Sequence, residues 1–311
     1  MTKYALLNGQ LVQYGAKTVN RCNVFLNANG AILGLGYVPD LEDDEFAQID
    51  LNGGSIYPFV SNVAFNASDS LASLNDISCP FAWSTEASPL NTLDDVDLLV
   101  KQLGNSVVVM PNLLSEGQYL NSLYDFYRLG YQTFYQNLEM VDSESLIEAF
   151  QELAVLKGSV LLDATAFVLD DFVDGLVSCL NAVPGVRVVL KGLQSFEQLS
   201  RLKEMSMDGF SLVLNSDYFV TWFKKDYNYM IGCIESGLIS GVYSRKGGSS
   251  LLKVLKQECQ LDTITTAKVL GETYCQLMSP EFLDWSVQDK PNIVLEASSE
   301  LMAFRDGRLV N

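Results

Sequence analysis

The chain has 311 residues, 48% of them hydrophobic, and sets 20 Lys and Arg against 38 Asp and Glu for a net charge of −18. A core of useful size can form, while so acidic a surface repels nucleic-acid phosphate and anionic membrane. There is no histidine, which excludes Ser-His-Asp and Cys-His pairs, His-Glu-x-x-His zinc sites and every imidazole metal centre.

From the N-terminus, short apolar runs alternate with Asn8-Gly9, Asn29-Gly30 and Asn52-Gly53. Asn-Gly between apolar segments is a type I′ hairpin signal, because both turn positions need positive φ. The pattern returns at the far end, where Asn292–Leu295 and Leu301–Phe304 precede Asp306-Gly307 and Leu309-Val310. Isolated hairpins are marginal in water, so the two ends are expected to pair into one β-unit.

Between them, apolar runs alternate with amphipathic stretches, the pattern of a parallel βα sheet or barrel. The expected strands are Ser55–Val63, Ser106–Met110, Gln132–Tyr135, Ser159–Leu162, Val186–Leu190, Phe210–Leu214 and Leu238–Tyr243. The expected helices are Leu93–Leu103, Glu116–Leu129, Ser143–Leu156, Ser195–Met205 and Ser249–Glu258, with Ser143 capping the third. These strands are one short of a (β/α)8 barrel, and an open doubly wound sheet is the rival. Tyr218, Phe219, Trp222, Phe223, Tyr227 and Tyr229 follow the sixth strand and are expected to divide between core and partner surface.

The six cysteines contain no Cys-x-x-Cys, so free and mostly buried thiols are expected. Met1-Thr2-Lys3-Tyr4 does not open a secretory signal, and no apolar run reaches the ~18 residues of a membrane span. A cytoplasmic protein with no membrane or nucleic-acid partner is the expectation.

Several segments resemble the dihydroorotase and allantoinase branch of the amidohydrolases. Ile49–Pro58 and the residues that follow look like its first barrel strand, which carries His-x-His-x-Arg. Aligned on Pro58, the two metal-binding histidines fall on Ala64 and Asn66, and the substrate-carboxylate arginine falls on Ser68. Val107-Val108-Val109-Met110-Pro111-Asn112 is similar to the family's Val-Val-x-Met-Pro-Asn, whose asparagine touches substrate. The fourth-strand metal histidine falls on Asp163, the fifth-strand one near Leu190, and the catalytic aspartate on Arg245. Asn29–Gly34 and Phe304–Val310 resemble the family's terminal β-sandwich signatures.

The resemblance implies a shortened or distorted (β/α)8 TIM-type barrel, with seven strands as one form, over residues 56–285. A small β-sandwich would be built from 1–55 and 286–311. It implies a degenerate metal site at Ala64, Asn66, Asp163, Leu190 and Arg245, and therefore no catalytic residues, no metal and no cofactor. Asn112 and Ser68 would be a ligand-binding remnant. Inactive members of this family serve as structural partners of aspartate transcarbamoylase, so an oligomer with that enzyme's catalytic chain is the implied role. The alternative from a different class is a metal-independent enzyme or small-ligand sensor that uses Asn112, Asp163 and Arg245.

Overall fold

The computed structural model describes residues 3–13, 18–26, 32–36, 46–58, 81–82, 94, 108–114, 122–165, 169–205, 208–243, 248–277, 293–297, 300–305 and 308–310. In chain order the strands are β1 (Lys3–Gln13), β2 (Thr18–Leu26), β3 (Ile32–Leu35), β4 (Phe46–Asp50), β5 (Ser55–Pro58), β6 (Phe81–Ala82), β7 (Val108–Val109) and β8 (Thr133–Asn137). They continue with β9 (Ser159–Asp163), β10 (Arg187–Lys191), β11 (Phe210–Asn215), β12 (Ile239–Tyr243), β13 (Ile293–Ala297), β14 (Glu300–Arg305) and β15 (Arg308–Val310). The helices are α1 (Leu123–Arg128), α2 (Ser143–Leu156), α3 (Leu169–Ala182), α4 (Phe196–Met205), α5 (Ser216–Lys225), α6 (Tyr227–Glu235), α7 (Gly248–Lys253) and α8 (Thr263–Leu277).

Both chain ends enter one eight-stranded sheet, ordered β15-β14-β13-β5-β1-β2-β3 with β4 also on β1. The joint is an antiparallel pairing of Ile293–Leu295 with Ile56–Pro58. The described strands of the two ends form this one hydrogen-bonded sheet. Leu6, Leu11, Val24, Leu26, Leu51 and Ile56 form its buried cluster.

Two of the Asn-Gly pairs do not turn hairpins. Asn8 (φ +56°) and Asn52 (φ +47°) are left-handed as expected. However, β1 runs straight through Asn8-Gly9 with a register shift, and β4 and β5 pair in succession, both parallel to β1. The Gly53 amide donates to the Asn8 carbonyl at 2.8 Å, and Asn8 Nδ2 donates to Asp50 at 3.1 Å. The two pairs are therefore matched kinks in neighbouring strands. Asn29-Gly30 and Asp306-Gly307 lie outside the described residues.

The second sheet is parallel, in the order β12-β11-β10-β9-β8. A parallel bridge between Asn112 and Tyr135 carries β7 onto β8, and β6 pairs parallel with β7. Seven parallel strands thus follow one another in chain order, but not the seven expected. Ser55–Pro58 belongs to the terminal sheet, and Phe81–Ala82 takes the first place in the parallel series. No pairing closes this ladder into a ring among the described residues.

One face of the parallel sheet packs on the helices. Val160, Leu162, Val188, Leu190, Leu212 and Leu214 share a buried cluster with Leu146, Phe150 and Leu153 of α2. Each such side chain contributes roughly 1.5–3 kcal/mol by leaving water. The cap of α2 is Asp142 and not Ser143: its side chain accepts from the Ser145 amide at 2.9 Å. Serine and aspartate both suit that position, and a one-residue offset leaves the apolar face of the helix intact. Of the expected Glu116–Leu129 helix, Leu123–Arg128 is described, with Ser122 and Asp125 forming a capping box. Of Leu93–Leu103, only Asp94 is described.

The opposite face is covered by α8, a helix the sequence pattern did not suggest. It packs across β9, β10, β11 and β12. The hydroxyls of Thr133 and Ser159 both donate to the Leu277 carbonyl at its C-terminal end. Ser240 and Thr273 hydroxyls bond at 3.3 Å, and a Cβ on Gly241 would lie 2.1 Å from Thr273 Oγ1. The side-chain hydrogen at Gly241 is thus what allows the helix to lie so close to β12. Replacing Gly241 with Val should lower stability by about 1–3 kcal/mol through overpacking. Urea unfolding should show a lower midpoint with unchanged slope, and adding Thr273→Ala should recover part of the loss.

Candidate functional site

Side chains alternate across a strand, so register decides which residues share a face. Asp163 of β9 pairs with Lys191 of β10 and with Asn137 of β8; Lys191 pairs with Val213 of β11, and Val213 with Gly241 of β12. These residues form the C-terminal row on the face that carries α8. In parallel α/β folds, ligand sites gather at this end of the strands.

At its centre is a buried ion pair. Lys191 Nζ lies 2.9 Å from Asp163 Oδ2, and each residue is 8% exposed. The Tyr135 hydroxyl, one row below on the same face, donates to that oxygen at 3.2 Å. Asp163 Oδ1 accepts from the Thr165 amide at 2.9 Å and from the Thr165 hydroxyl. The Lys191 ammonium also stands 5.2 Å from the centre of the Tyr243 ring. Burial pushes the Asp163 carboxyl up, but the Lys191 charge and the Thr165 and Lys191 hydrogen bonds outweigh it, holding it below the usual carboxylate range.

The loops behind the pair are tied together. The Ala164 amide donates to the Lys191 carbonyl at 2.8 Å, and Gln194 Nε2 donates to the Thr165 carbonyl at 3.0 Å. Gly192 has φ +108°, and a Cβ there would lie 2.4 Å from the Thr165 nitrogen. Only glycine lets the two strand-end loops meet this closely. Nearby, the Leu114 amide donates to Gln136 Oε1 at 2.9 Å, which positions the turn after Asn112.

Of the residues singled out from the sequence, the structure brings Asp163 and Asn112 to this rim, on β9 and beside Tyr135 of β8. Leu190 is fully buried in the helix-facing cluster, so it does not face the mouth with Asp163. Its neighbour Lys191 does, because one residue along a strand reverses the face. Ala64, Asn66, Ser68 and Arg245 lie outside the described residues. Tyr135, Thr165 and Lys191 were not singled out. Lys191 was legible as a charge closing an otherwise apolar strand, Val188-Val189-Leu190.

The aromatic segment divides by burial. Phe219, Trp222 and Phe223 are buried, whereas Tyr218 and Tyr227 are exposed. Tyr218 stacks on Trp222 with ring centres 5.5 Å apart. Cys179, Cys233 and Cys259 are buried free thiols, Cys22 a half-buried one. Burial and the neighbouring Glu258 push Cys259 up to about 11.

No known family pattern matches the sequence, and no curated protein matches it. Solved structures do resemble the fold. The L-hydantoinase (dihydropyrimidinase) of Arthrobacter aurescens superposes with a TM-score of 0.74 at 12% identity, over 100% of this chain and 96% of that one. A D-hydantoinase from a Bacillus sp. gives 0.67 at 9% identity, over 99% and 95% of the two chains. A dihydroorotase gives 0.64 at 9% identity, over 100% and 99%. At such identities the likeness is one of fold alone.

The resemblance to amidohydrolases implies a metal site, and the described donors do not fit one. No three Cys, Asp or Glu side chains converge among the described residues. The carboxylate at the fourth-strand position is already held by an ammonium group, which would repel a divalent cation placed beside it.

Replacing Asp163 with Asn should cost about 3–5 kcal/mol, because the buried Lys191 charge loses its counter-charge. The sign with pH follows from the depressed carboxyl. Its contribution is fully present above the ordinary ~3.9 of an aspartate and is lost as pH falls through the lower folded value. Acid titration of stability should lose that component in the Asp163→Asn protein.

Proposed function

We propose that the chain is a catalytically inactive protein of the amidohydrolase fold that serves as a structural partner of the aspartate transcarbamoylase catalytic chain. The observation that carries the inactive half is the Asp163–Lys191 pair, a neutral unit at the strand end where the resemblance assigns a metal ligand. A chain without histidine adds support, because hydrolysis of a cyclic amide by two metals needs donors that hold the cations and acidify a bridging water. Asp163, locked by Lys191, Tyr135 and Thr165, is poorly placed to do so.

The partner half rests on the resemblance of the Met110-Pro111-Asn112 segment and the strand series to dihydroorotase-like proteins, whose inactive members hold that enzyme in mixed oligomers. Exposed Tyr218 and Tyr227 offer aromatic contact area of the type enriched at interfaces. On this reading the fold is kept as a rigid body while the chemistry is discarded.

Three measurements test the proposal. Elemental analysis of the purified protein should find no stoichiometric transition metal, and dihydroorotate, hydantoin and dihydrouracil should not be turned over. One or two tightly held metals per chain, or measurable turnover, would overturn the inactive reading. Co-expression with the aspartate transcarbamoylase catalytic chain from the same cell should give one complex larger than either protein alone. Two separate species at micromolar concentration would remove the partner assignment.

A further inference from the structure

We infer that copies of this chain associate head to tail, the acidic outer face of α2 on one copy seating on the lysine and aromatic face of α5 and α6 on the next. The inference goes beyond the role proposed above and concerns the chain by itself.

The helical period puts Glu144, Glu148, Glu152 and Val155 on one stripe of α2, opposite the buried Leu146, Phe150 and Leu153. All four are exposed, Val155 to 83%. The helix contains no Lys or Arg, and none of these carboxylates forms an ion pair among the described residues. Each glutamate therefore meets a like charge one turn away, which destabilises a helix face left to water. Tyr124 and Leu129, exposed on the neighbouring α1, add apolar surface beside the stripe. Such a face suits a partner that offers cations together with apolar area.

The other flank of the molecule offers both. Tyr218, Trp222 and Lys225 of α5 share a stripe at i, i+4 and i+7. Tyr218 is exposed and stacks on Trp222, and Lys225 Nζ stands 4.6 Å from the centre of the Phe196 ring. That ring meets Tyr229 of α6 at 5.2 Å between centres, and Lys203 Nζ lies 3.8 Å from the Tyr229 ring. Neither Lys203 nor Lys225 has a carboxylate partner among the described residues, in a chain with 38 acids for 20 cations. The acids close by are engaged: Asp226 caps α6 through the Tyr229 amide, and Glu258 pairs with Lys224. Aromatic rings that seat cations are the composition of interaction hot spots. Two glutamate stripes repel each other, as do two lysine faces. The contact therefore joins unlike faces and repeats from copy to copy.

The test is sedimentation velocity on the full chain alone. It should be monomeric at about 1 µM and form oligomers at about 100 µM, since a contact of this extent belongs to the weak class. Glu148→Lys with Glu152→Lys should hold the chain monomeric, and Lys225→Glu should do the same. These side chains are exposed, so both variants should keep the urea midpoint of the parent. Mixed one to one, the two variants should assemble again, because reversed α2 meets reversed α5 and the unaltered faces meet each other. A parent chain that stays monomeric to about 1 mM would overturn the inference and leave the proposed role standing. Oligomers indifferent to either variant, or not recovered on mixing, would overturn it as well. Chains that never self-associate but bind the aspartate transcarbamoylase catalytic chain through α2, with loss on Glu148→Lys, would overturn it in favour of that occupant.

Discussion

A charge removed from water must keep a counter-charge within reach, and in this protein that requirement ties Lys191 to Asp163. The tie sets more than two side chains. It fixes the register of β10 on β9, since a slip of β10 by one residue would send Lys191 into the apolar helix-facing cluster, bring Leu190 to the rim and leave Asp163 without its counter-charge. It also explains the close crossing of the loops behind the pair, where Gly192 passes the Thr165 backbone and the Ala164 amide bonds to the Lys191 carbonyl. Tyr135 and Thr165 then saturate the carboxylate. The site is a closed electrostatic unit built from three neighbouring strands and one turn.

The rest of the inner face solves a related problem with neutral groups. Thr133, Ser159, Ser211, Ser240 and Thr273 are buried hydroxyls, and each finds a partner on the sheet or on α8. Buried polar groups of this kind are tolerated only when bonded. They give α8 a specific seat across the sheet, with Leu277 over the beginnings of β8 and β9 and Thr273 against Gly241 of β12. The helix covers a face that, in a closed (β/α)8 barrel, is filled by side chains of the strands themselves.

Much of this fold was legible in the sequence, because it rests on local periodicity. Five strands from β8 to β12 and the helix α2 lie where alternating apolar runs and caps place them. What was missed depends on tertiary context. Asn8-Gly9 and Asn52-Gly53 carry a hairpin signal, but the two pairs lie side by side in parallel strands, a relation that only chain packing creates. The Thr-rich start of α8, Thr263-Ile264-Thr265-Thr266, has low helix propensity, and the seat on the sheet outweighs it. At the site, the structure places Asp163 on the rim; on β10 it places Lys191 there, while Leu190, near which the resemblance set the fifth-strand position, points to the opposite face because successive side chains alternate. Tyr135 was hidden for another reason: a tyrosine inside an apolar strand reads as core, and only the three-dimensional distance to Asp163 reveals its hydroxyl as part of the site.

The central claim is that Asp163 and Lys191 act as one neutral unit in place of a metal ligand. A double-mutant cycle in urea, with Asp163→Asn, Lys191→Met and the double variant, measures that coupling directly. The account predicts a double variant more stable than Asp163→Asn alone, with a coupling energy of at least about 1 kcal/mol, because removing the ammonium relieves the charge left buried. Losses that simply add would contradict it, and would mean that each side chain is held by other groups and that the pair is incidental.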